Sequence, residues 1–184
     1  VGSEMCIRDR IEPAVTSFGK GFSISPLKLV QLHAAIANGG FEVIPHVTSA
    51  FEERVTKNPK KQFFSNDVSK TVLEWMESVV DKGSGSEAKI EGYRIAGKTG
   101  TSQKAFNGAY TNKKVCSFVA VLPVNNPKYV VLVVVDEPSK SYAYGSTVAV
   151  PVAKEIMESL IVIEKIPPEI KDHEMIVKKP VSYT

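Results

Sequence analysis

The chain has 184 residues, of which 43% are hydrophobic and 23% are charged, and this composition is typical of one globular domain rather than a disordered chain. The net charge of +3 is too small to indicate nucleic-acid binding. Two cysteines far apart in sequence, Cys6 and Cys116, suggest neither a disulfide framework nor a metal site. The longest apolar run, residues 130–135, is far shorter than the ~20 residues of a membrane helix.

We expect residues 1–10 to be foreign to the domain or disordered, since they show neither helical nor strand periodicity. The first predicted helix has Ser25 as its N-cap and Pro26 at its first position, and it ends at the Asn-Gly-Gly of residues 38–40. Its core-facing stripe is predicted to consist of Leu29, Leu32, Ala35 and Ile36.

A second helix is predicted to begin at the cap formed by residues 65–67 and to end in the sequence KGSGS, which is interpreted as a flexible turn. Apolar residues recur along this helix at spacings of three and four, and we expect them to face the core. They are Val68, Val72, Trp75, Met76 and Val79.

Three strands are predicted next, in the sequences YRIAGKTGTS, VCSFVAVLPV and KYVVLVVVDEP. Only a short turn at residues 125–127 joins the last two, so we expect them to pair antiparallel. The third is almost continuously apolar, which favours a central strand covered on both faces. A final helix is expected from about Thr147, with Pro151 near its first turn or kinking it. Residues 166–184 predict a linker or tail.

The sequence GYRIAGKTGT, residues 92–101, satisfies the phosphate-loop pattern G-x-x-x-x-G-K-[ST]. A phosphate loop needs a helix to begin at the Lys-Thr pair so that its N-terminus faces the anion. Gly100 disfavours that helix, and residues 93–96 favour a strand. A sheet containing a hairpin is also unlike the parallel sheets of phosphate-loop enzymes. These observations argue against nucleotide binding.

The same stretch contains the Lys-Thr-Gly triplet of penicillin-recognising serine enzymes. If it is a strand, period-two alternation places Thr99 and Thr101 on one face and Lys98 on the other. The threonine hydroxyls could then donate to a carboxylate or carbonyl, and the backbone N–H of Thr101 could donate to an oxyanion. Gly97 and Gly100 would remove side chains where another backbone comes close. The triplet is also common in ordinary edge strands.

Several blocks in order resemble the transpeptidase domain of class B penicillin-binding proteins, the bacterial enzymes that cross-link peptidoglycan. The similarity runs from about residue 16 to residue 163. Its blocks are SFGKG followed by SPLKLVQLHAAIANGG, then Pro45-His46-Val47, the helix ending VVDKGSGSEA, GYRIAGKTGTSQKA, SFVAVLP, VDEP, YGS and VPVAKEIM.

This resemblance implies an α/β fold in which an antiparallel sheet is flanked by helices, shared with serine β-lactamases. Residues 11–165 would form the C-terminal part of an incomplete domain. A serine would be acylated by the D-alanyl-D-alanine end of one peptidoglycan stem peptide and deacylated by an amine from another, and β-lactams would acylate the same serine. Lys98, Thr99, Gly100 and Thr101 match the family's third motif and are the expected catalytic residues. Thr99, Thr101 and Ser102 are the expected substrate-binding residues, with no metal, cofactor, nucleotide or nucleic acid required.

The resemblance also calls for two further motifs, a serine followed three residues later by lysine and a Ser-x-Asn. Residues 17–20 spell Ser-Phe-Gly-Lys, but Gly19 and Gly21 disfavour the helix that would bring Lys20 to the hydroxyl of Ser17. No Ser-x-Asn occurs in the chain. We therefore expect both motifs to lie upstream of residue 1, the chain alone to be inactive, and the missing strands to leave exposed apolar edges and poor solubility.

Two other functions remain open on this fold. One is a non-catalytic β-lactam sensor or pseudo-enzyme, and the other is a D,D-carboxypeptidase or β-lactamase. The blocks favour a division or sporulation role over elongation. The resemblance further implies an upstream membrane anchor, an extracytoplasmic location and membrane-bound partners in cell-wall synthesis.

Overall fold

The computed structural model describes residues 23–46, 61–106, 109–139 and 142–169. Within these ranges, two helices, three strands and a final helix follow one another as the sequence predicts. The elements are α1 (Pro26–Ala37), α2 (Asn66–Lys82), β1 (Ala96–Phe106), β2 (Ala109–Leu122), β3 (Tyr129–Asp136) and α3 (Val150–Ile163). A 3-10 turn, Ser86–Ala88, precedes β1, and a π-helical turn, Gly145–Ala149, leads into α3. The Ser-Phe-Gly-Lys stretch, the first ten residues and the chain beyond residue 169 lie outside the described residues.

Side-chain caps fix the starts of the first two helices. Ser25 Oγ accepts a hydrogen bond from the Lys28 backbone N–H at 3.3 Å, and Ser65 Oγ does the same for Val68 at 3.3 Å. The helix α1 ends where predicted, because Gly39 and Gly40 adopt φ values of +83° and +91° that only glycine takes easily. Pro151 is the second residue of α3 and thus lies in its first turn, one of the two placements that the sequence predicts.

The three strands form one antiparallel sheet in the order β1-β2-β3. The hairpin between β2 and β3 confirms the predicted antiparallel pairing, with Leu122 opposite Tyr129. The prediction of a central third strand is wrong for the described sheet, since β2 lies in the middle and β3 at the edge. Helices contact β3 on both faces but leave most of its side chains only partly buried, and a continuous apolar run carries no information about a strand's position across the sheet.

Helices cover both faces of the sheet, and each face has its own core. The helices α1 and α2 pack over the face that carries Val119 and Val121. The helix α3 packs over the opposite face through Ala153 and Met157, against Phe118 of β2. This arrangement confirms the predicted α/β fold with an antiparallel sheet flanked by helices.

The buried stripe of α2 differs from the predicted one by a single residue step. Its buried members are Ser69, Leu73, Met76 and Val80, whereas Trp75 is 68% exposed and Val68 is 48% exposed. The expectation that Trp75 lies in the core is therefore wrong for this chain. In α1, Ala35 is buried as predicted but Leu32 is 44% exposed.

Packing continues past the predicted domain boundary at residue 165. Ile166 is only 4% exposed, and its carbonyl accepts a hydrogen bond from the Tyr93 hydroxyl at 2.9 Å. The Glu169 N–H donates to the Gly92 carbonyl at 2.7 Å. Residues 166–169 therefore belong to the folded unit.

Among the helices of the described ranges, none is both long and apolar enough to cross a membrane.

Candidate active site

The Lys-Thr-Gly-Thr stretch, residues 98–101, lies inside β1, at one edge of the described sheet. No helix begins at Lys98 or Thr99, so the arrangement that a phosphate loop requires is absent from this part of the described chain. In an antiparallel edge strand, every second residue turns its N–H and C=O away from the neighbouring strand. The Thr99 carbonyl accepts a bond from Lys98 Nζ at 2.7 Å, which indicates that Thr99 and Thr101 are such residues.

The two glycines of this stretch are required by packing within the chain. A methyl group on Gly97 would lie 2.5 Å from Cζ of Phe118, a side chain with no exposed surface. A methyl group on Gly100 would lie 2.5 Å from Ser117 Oγ. The expectation that these glycines make room for a foreign backbone therefore needs correction, because side chains of β2 already occupy the space.

The register separates the predicted site residues onto two faces. Thr99 and Thr101 lie opposite Phe118 and Cys116 of β2, on the face covered by α3. Lys98 and Ser102 alternate with them and lie on the face covered by α1 and α2. The structure therefore brings the two threonines together, as the alternation predicts, and it places Ser102 on the other face.

Both threonine hydroxyls have partners outside the sheet. The Thr99 Oγ1 and Ser84 Oγ atoms lie 2.7 Å apart, at hydrogen-bond distance. Thr101 Oγ1 accepts a hydrogen bond from the Gly145 N–H at 3.0 Å. One partner comes from the end of α2 and the other from the start of the π-helical turn. Two separate segments therefore hold the Thr99 and Thr101 side chains in place.

Gly145 approaches β1 more closely than any other residue type could. A methyl group on it would lie 2.6 Å from the carbonyl oxygens of both Gly100 and Ser117. The preceding residue, Tyr144, is fixed by a backbone N–H bond to Thr147 Oγ1 at 3.0 Å. The Lys114 ammonium lies 4.5 Å from the centre of the Tyr144 ring, close enough for a cation–π contact.

Ser84 and Gly145 lie in the resembling blocks VVDKGSGSEA and YGS, but the sequence predicts no site role for either residue. The KGSGS sequence was interpreted as a flexible turn, yet the N–H groups of Gly83 and Gly85 both donate to the Val79 carbonyl at 3.1 Å and so close the helix. The glycines on each side of Ser84 were the available signal, since glycine often marks the end of a helix.

The Cys116 thiol lies beside Thr101 on the same face of the sheet and has no exposed surface. Burial raises its pKa, and the Lys114 charge and the Thr101 hydroxyl act in the opposite direction. A buried, protonated thiol is a poor nucleophile. Cys116 is therefore part of the packing beneath the site and takes no chemical role in it.

The arrangement offers hydroxyls, an ammonium group and edge N–H groups to an extended ligand. Hydroxyl, ammonium and N–H groups of this kind can donate hydrogen bonds to a carboxylate or an oxyanion. Within the described ranges, no group of three His, Cys, Asp or Glu residues is arranged to hold a metal ion.

Comparison with known proteins identifies the family. The sequence matches the model of the family described as the penicillin binding protein transpeptidase domain over residues 3–158. This range includes most of the first ten residues, which were predicted to be foreign to the domain.

Two curated relatives carry activities or roles in their names. The peptidoglycan D,D-transpeptidase FtsI homolog of Mesostigma viride is 43% identical over 181 residues, covering 87% of this chain and 30% of that protein. The stage V sporulation protein D of Bacillus subtilis is 39% identical, covering 80% of this chain and 24% of that protein. The chain thus spans less than a third of the length of either relative.

Solved structures give the same fold. The apo transpeptidase domain of penicillin-binding protein 3 from Burkholderia pseudomallei has a TM-score of 0.74 and 33% identity, covering 88% of this chain and 49% of that one. Penicillin-binding protein 3 of Mycobacterium tuberculosis, solved with ampicillin, has a TM-score of 0.67 and 25% identity, covering 84% of this chain and 38% of that one. With its Lys-Thr-Gly-Thr edge strand and a family match over most of its length, the chain belongs to the family of penicillin-binding protein transpeptidase domains.

Proposed function

We propose that this chain forms the substrate-binding side of the active site of a peptidoglycan D,D-transpeptidase. The observation that carries the proposal is the edge strand β1, which presents Lys98, Thr99 and Thr101 in a chain of the penicillin-binding family. In the reaction, a serine supplied by sequence upstream of residue 1 attacks the carbonyl carbon of the D-alanyl-D-alanine bond of one stem peptide, and the terminal D-alanine leaves as the acyl-serine ester forms. An amine from a second stem peptide then attacks this ester, which forms the cross-link and releases the serine.

Each residue of the edge strand has a role that its position supports. The hydroxyls of Thr99 and Thr101 bind the terminal carboxylate of the stem peptide, since they share one face of β1. The Thr101 N–H donates to the oxyanion that forms on the attacked carbonyl, a contact whose loss costs ~3 kcal/mol of transition-state stabilisation. Lys98 lies on the other face, where its ammonium favours ionisation of the upstream serine and its proton partners.

Gly100 and Ser102 complete the proposed set in different ways. Gly100 lets β1 lie flat against Ser117, so the strand keeps its register at the site. Ser102 alternates onto the Lys98 face and is exposed, so its contact with substrate would come from beyond the carboxylate pocket. It is the less favoured of the proposed substrate-binding residues.

The names of the relatives support the wider role. Relatives named for peptidoglycan transpeptidase activity and for sporulation favour cell-wall cross-linking at division or sporulation. A relative solved with ampicillin supports β-lactams as ligands that acylate the same serine. An upstream membrane anchor would place the complete protein at the outer face of the cell membrane, among membrane-bound partners of cell-wall synthesis.

A fluorescent penicillin tests this function. We expect no covalent labelling of residues 1–184 alone and clear labelling of a longer protein that carries this chain together with its upstream sequence. Lys98→Ala in the longer protein should reduce labelling strongly, whereas Lys89→Ala, an exposed lysine of the 3-10 turn region, should not. Labelling of the short chain at Ser17 would contradict the assignment.

Transfer and hydrolysis are separated by offering an amine acceptor to the acylated longer protein. A cross-linked product is expected from a transpeptidase. Release of the free acid alone would indicate a carboxypeptidase or β-lactamase, and a stable acyl-enzyme that never turns over peptide substrate would indicate a sensor.

A further inference from the structure

Ser84 contacts the site although it lies 15 residues from Thr99 in sequence. It belongs to the turn that follows α2, yet its Oγ lies 2.7 Å from Thr99 Oγ1, and either oxygen can be the donor. We propose that Ser84 is a positioning residue that donates to Thr99 Oγ1 and so directs the Thr99 hydroxyl proton toward the substrate carboxylate. This inference rests on the proposed function and names a residue outside the Lys-Thr-Gly-Thr motif.

The main chain around Ser84 is held firmly in place. The N–H groups of Gly83 and Gly85 both donate to the Val79 carbonyl at 3.1 Å. A methyl group on Gly83 would lie 2.9 Å from that same carbonyl oxygen, and one on Gly85 would lie 3.3 Å from the Phe118 ring. Ser84 is therefore placed by a tight helix end that rests on the core beneath β1.

The turn is tied to β1 from both sides. After it, Ala88 is fully buried in the same core as Phe118. Before it, Glu77 of α2 binds the Arg94 guanidinium through two hydrogen bonds of 2.6 Å, just ahead of β1. The distance between Ser84 and Thr99 is thus fixed by contacts that involve neither side chain.

The direction of the Ser84–Thr99 bond decides what Thr99 can offer to a ligand. A hydroxyl has one proton to donate. If Thr99 donates to Ser84, it can only accept a bond at the site, which repels a carboxylate. If Ser84 donates to Thr99, the Thr99 proton is available to the carboxylate, and the two bonds strengthen each other. A bound carboxylate therefore selects the second arrangement.

Thr101 is arranged in the same sense by a different group. Its Oγ1 accepts from the Gly145 N–H, which can only donate, so the Thr101 proton is left to turn between the neighbouring Cys116 thiol and a bound ligand. In the proposed arrangement, each threonine accepts one bond from the protein scaffold on the same face of β1. The Ser84 hydroxyl thus donates a hydrogen bond to Thr99 Oγ1, as the Gly145 N–H does to Thr101 Oγ1.

The test compares Ser84→Ala with Ser84→Thr in the longer protein that carries the nucleophile. Acylation is measured with a penicillin and with its methyl ester, which lacks the carboxylate. We expect Ser84→Ala to slow acylation by the penicillin about threefold to tenfold, the range of one ordinary hydrogen bond, and to leave the slower reaction of the ester unchanged. Ser84→Thr keeps the hydroxyl and should restore the wild-type rate.

Ser86→Ala is the matched control, since Ser86 is an exposed serine of the same turn. An equal loss for penicillin and ester in Ser84→Ala would show a structural defect and overturn the proposal, as would an unchanged penicillin rate. A wild-type protein that no penicillin labels would instead count against the proposed function.

A second measurement holds whether or not the protein is active. In spectra of methyl-labelled threonine, Ser84→Ala should shift the Thr99 methyl resonance, and Ser84→Thr should shift it less. The Thr101 methyl should stay in place, because its partner is the Gly145 N–H. An unshifted Thr99 resonance in Ser84→Ala would contradict the hydrogen bond itself.

Discussion

Gly145 limits how closely the π-helical turn can approach the Lys-Thr-Gly-Thr strand. We expect Gly145→Ala to lower the free energy of unfolding by about 1–3 kcal/mol, because a new methyl group would press against two carbonyl oxygens that cannot move aside. Denaturant unfolding measures this loss. Ser146→Ala is the control at the adjacent position. A stability within about 0.5 kcal/mol of wild type would show that the turn is free to retreat.

Alternation along β1 predicted correctly that Thr99 and Thr101 share a face, because the strand period is a local property. The partners of these residues could not be predicted in the same way. Ser84 and Gly145 lie 15 and 44 residues away in sequence, and only the folded arrangement brings them to the strand. Local patterns therefore gave the orientation of the site residues and left their supports unidentified.

The helix α2 provides a direct test of which stripe is buried. We expect Leu73→Ala to lower the free energy of unfolding by about 2–5 kcal/mol, since it opens a cavity in the core. Trp75→Ala in this chain should cost less than about 0.5 kcal/mol, because the ring is mostly exposed. Thermal or denaturant unfolding compares the two variants. A larger loss of unfolding free energy for Trp75→Ala than for Leu73→Ala would support the predicted stripe through Trp75 as the buried one.

The error in that stripe has a simple physical origin. Two apolar stripes run side by side along α2, one through Trp75 and one through Leu73, and a helix of this spacing can pack on either. The buried stripe includes Ser69, whose Oγ is fully enclosed and has no hydrogen-bond partner. Hydrophobic periodicity cannot predict a buried polar residue such as Ser69, because it marks only apolar positions as buried.

Ion pairs join the three strands at one end of the sheet. Lys104 of β1 bonds Asp136 and Glu137 at the end of β3, and Lys113 of β2 bonds Glu137. Hydrogen bonds from Lys104 and then Lys113 lower the pKa of Glu137 below its ordinary value of 4.5. The charged form is thus favoured by folding, so its stabilising effect is present above pH about 4.5 and is lost as the pH falls through the lowered pKa.

A pH series of melting temperatures tests this effect. We expect the difference between wild type and Glu137→Gln to be constant near neutral pH and to shrink below pH about 4.5, where the wild-type carboxylate takes up its proton. Glu87→Gln, an exposed residue of the 3-10 turn, controls for the loss of one carboxylate. A difference that stays constant down to pH about 2 would contradict the lowered pKa.

Among the described residues, the outer side of α3 carries apolar side chains that are open to association. Val152, Ile156 and Ile163 are 45%, 40% and 71% exposed along a shallow groove of about 430 Å³. We expect replacing these three residues by glutamine to raise the solubility of this chain severalfold, measured as the protein remaining in the supernatant after concentration. Replacing Lys154 and Glu158 by glutamine should give no such gain. An unchanged solubility would point to another surface, such as the open edge of β3.

The overall architecture was largely predictable, because helix caps, strand alternation and the short hairpin depend on residues that are close together in sequence. The position of β3 was not, since a sheet's strand order depends on which strands pair across the whole fold. The same holds for residues 166–169, whose prolines and charges resemble a linker although Ile166 is buried. Sequence patterns predict whether a segment contacts the core more reliably than they predict its position in the fold.

The buried thiol of Cys116, beside Thr101, could be used to measure how often the site opens. We expect an alkylating reagent to reach Cys116 only when the structure around it opens locally, because the side chain has no exposed surface. With Cys6 replaced by serine, the alkylation rate would measure how often the surroundings of Thr101 open. A ligand that occupies the strand should slow that rate, and a ligand bound elsewhere should not. The cysteine that takes no part in the chemistry would then report occupancy of the site without any turnover.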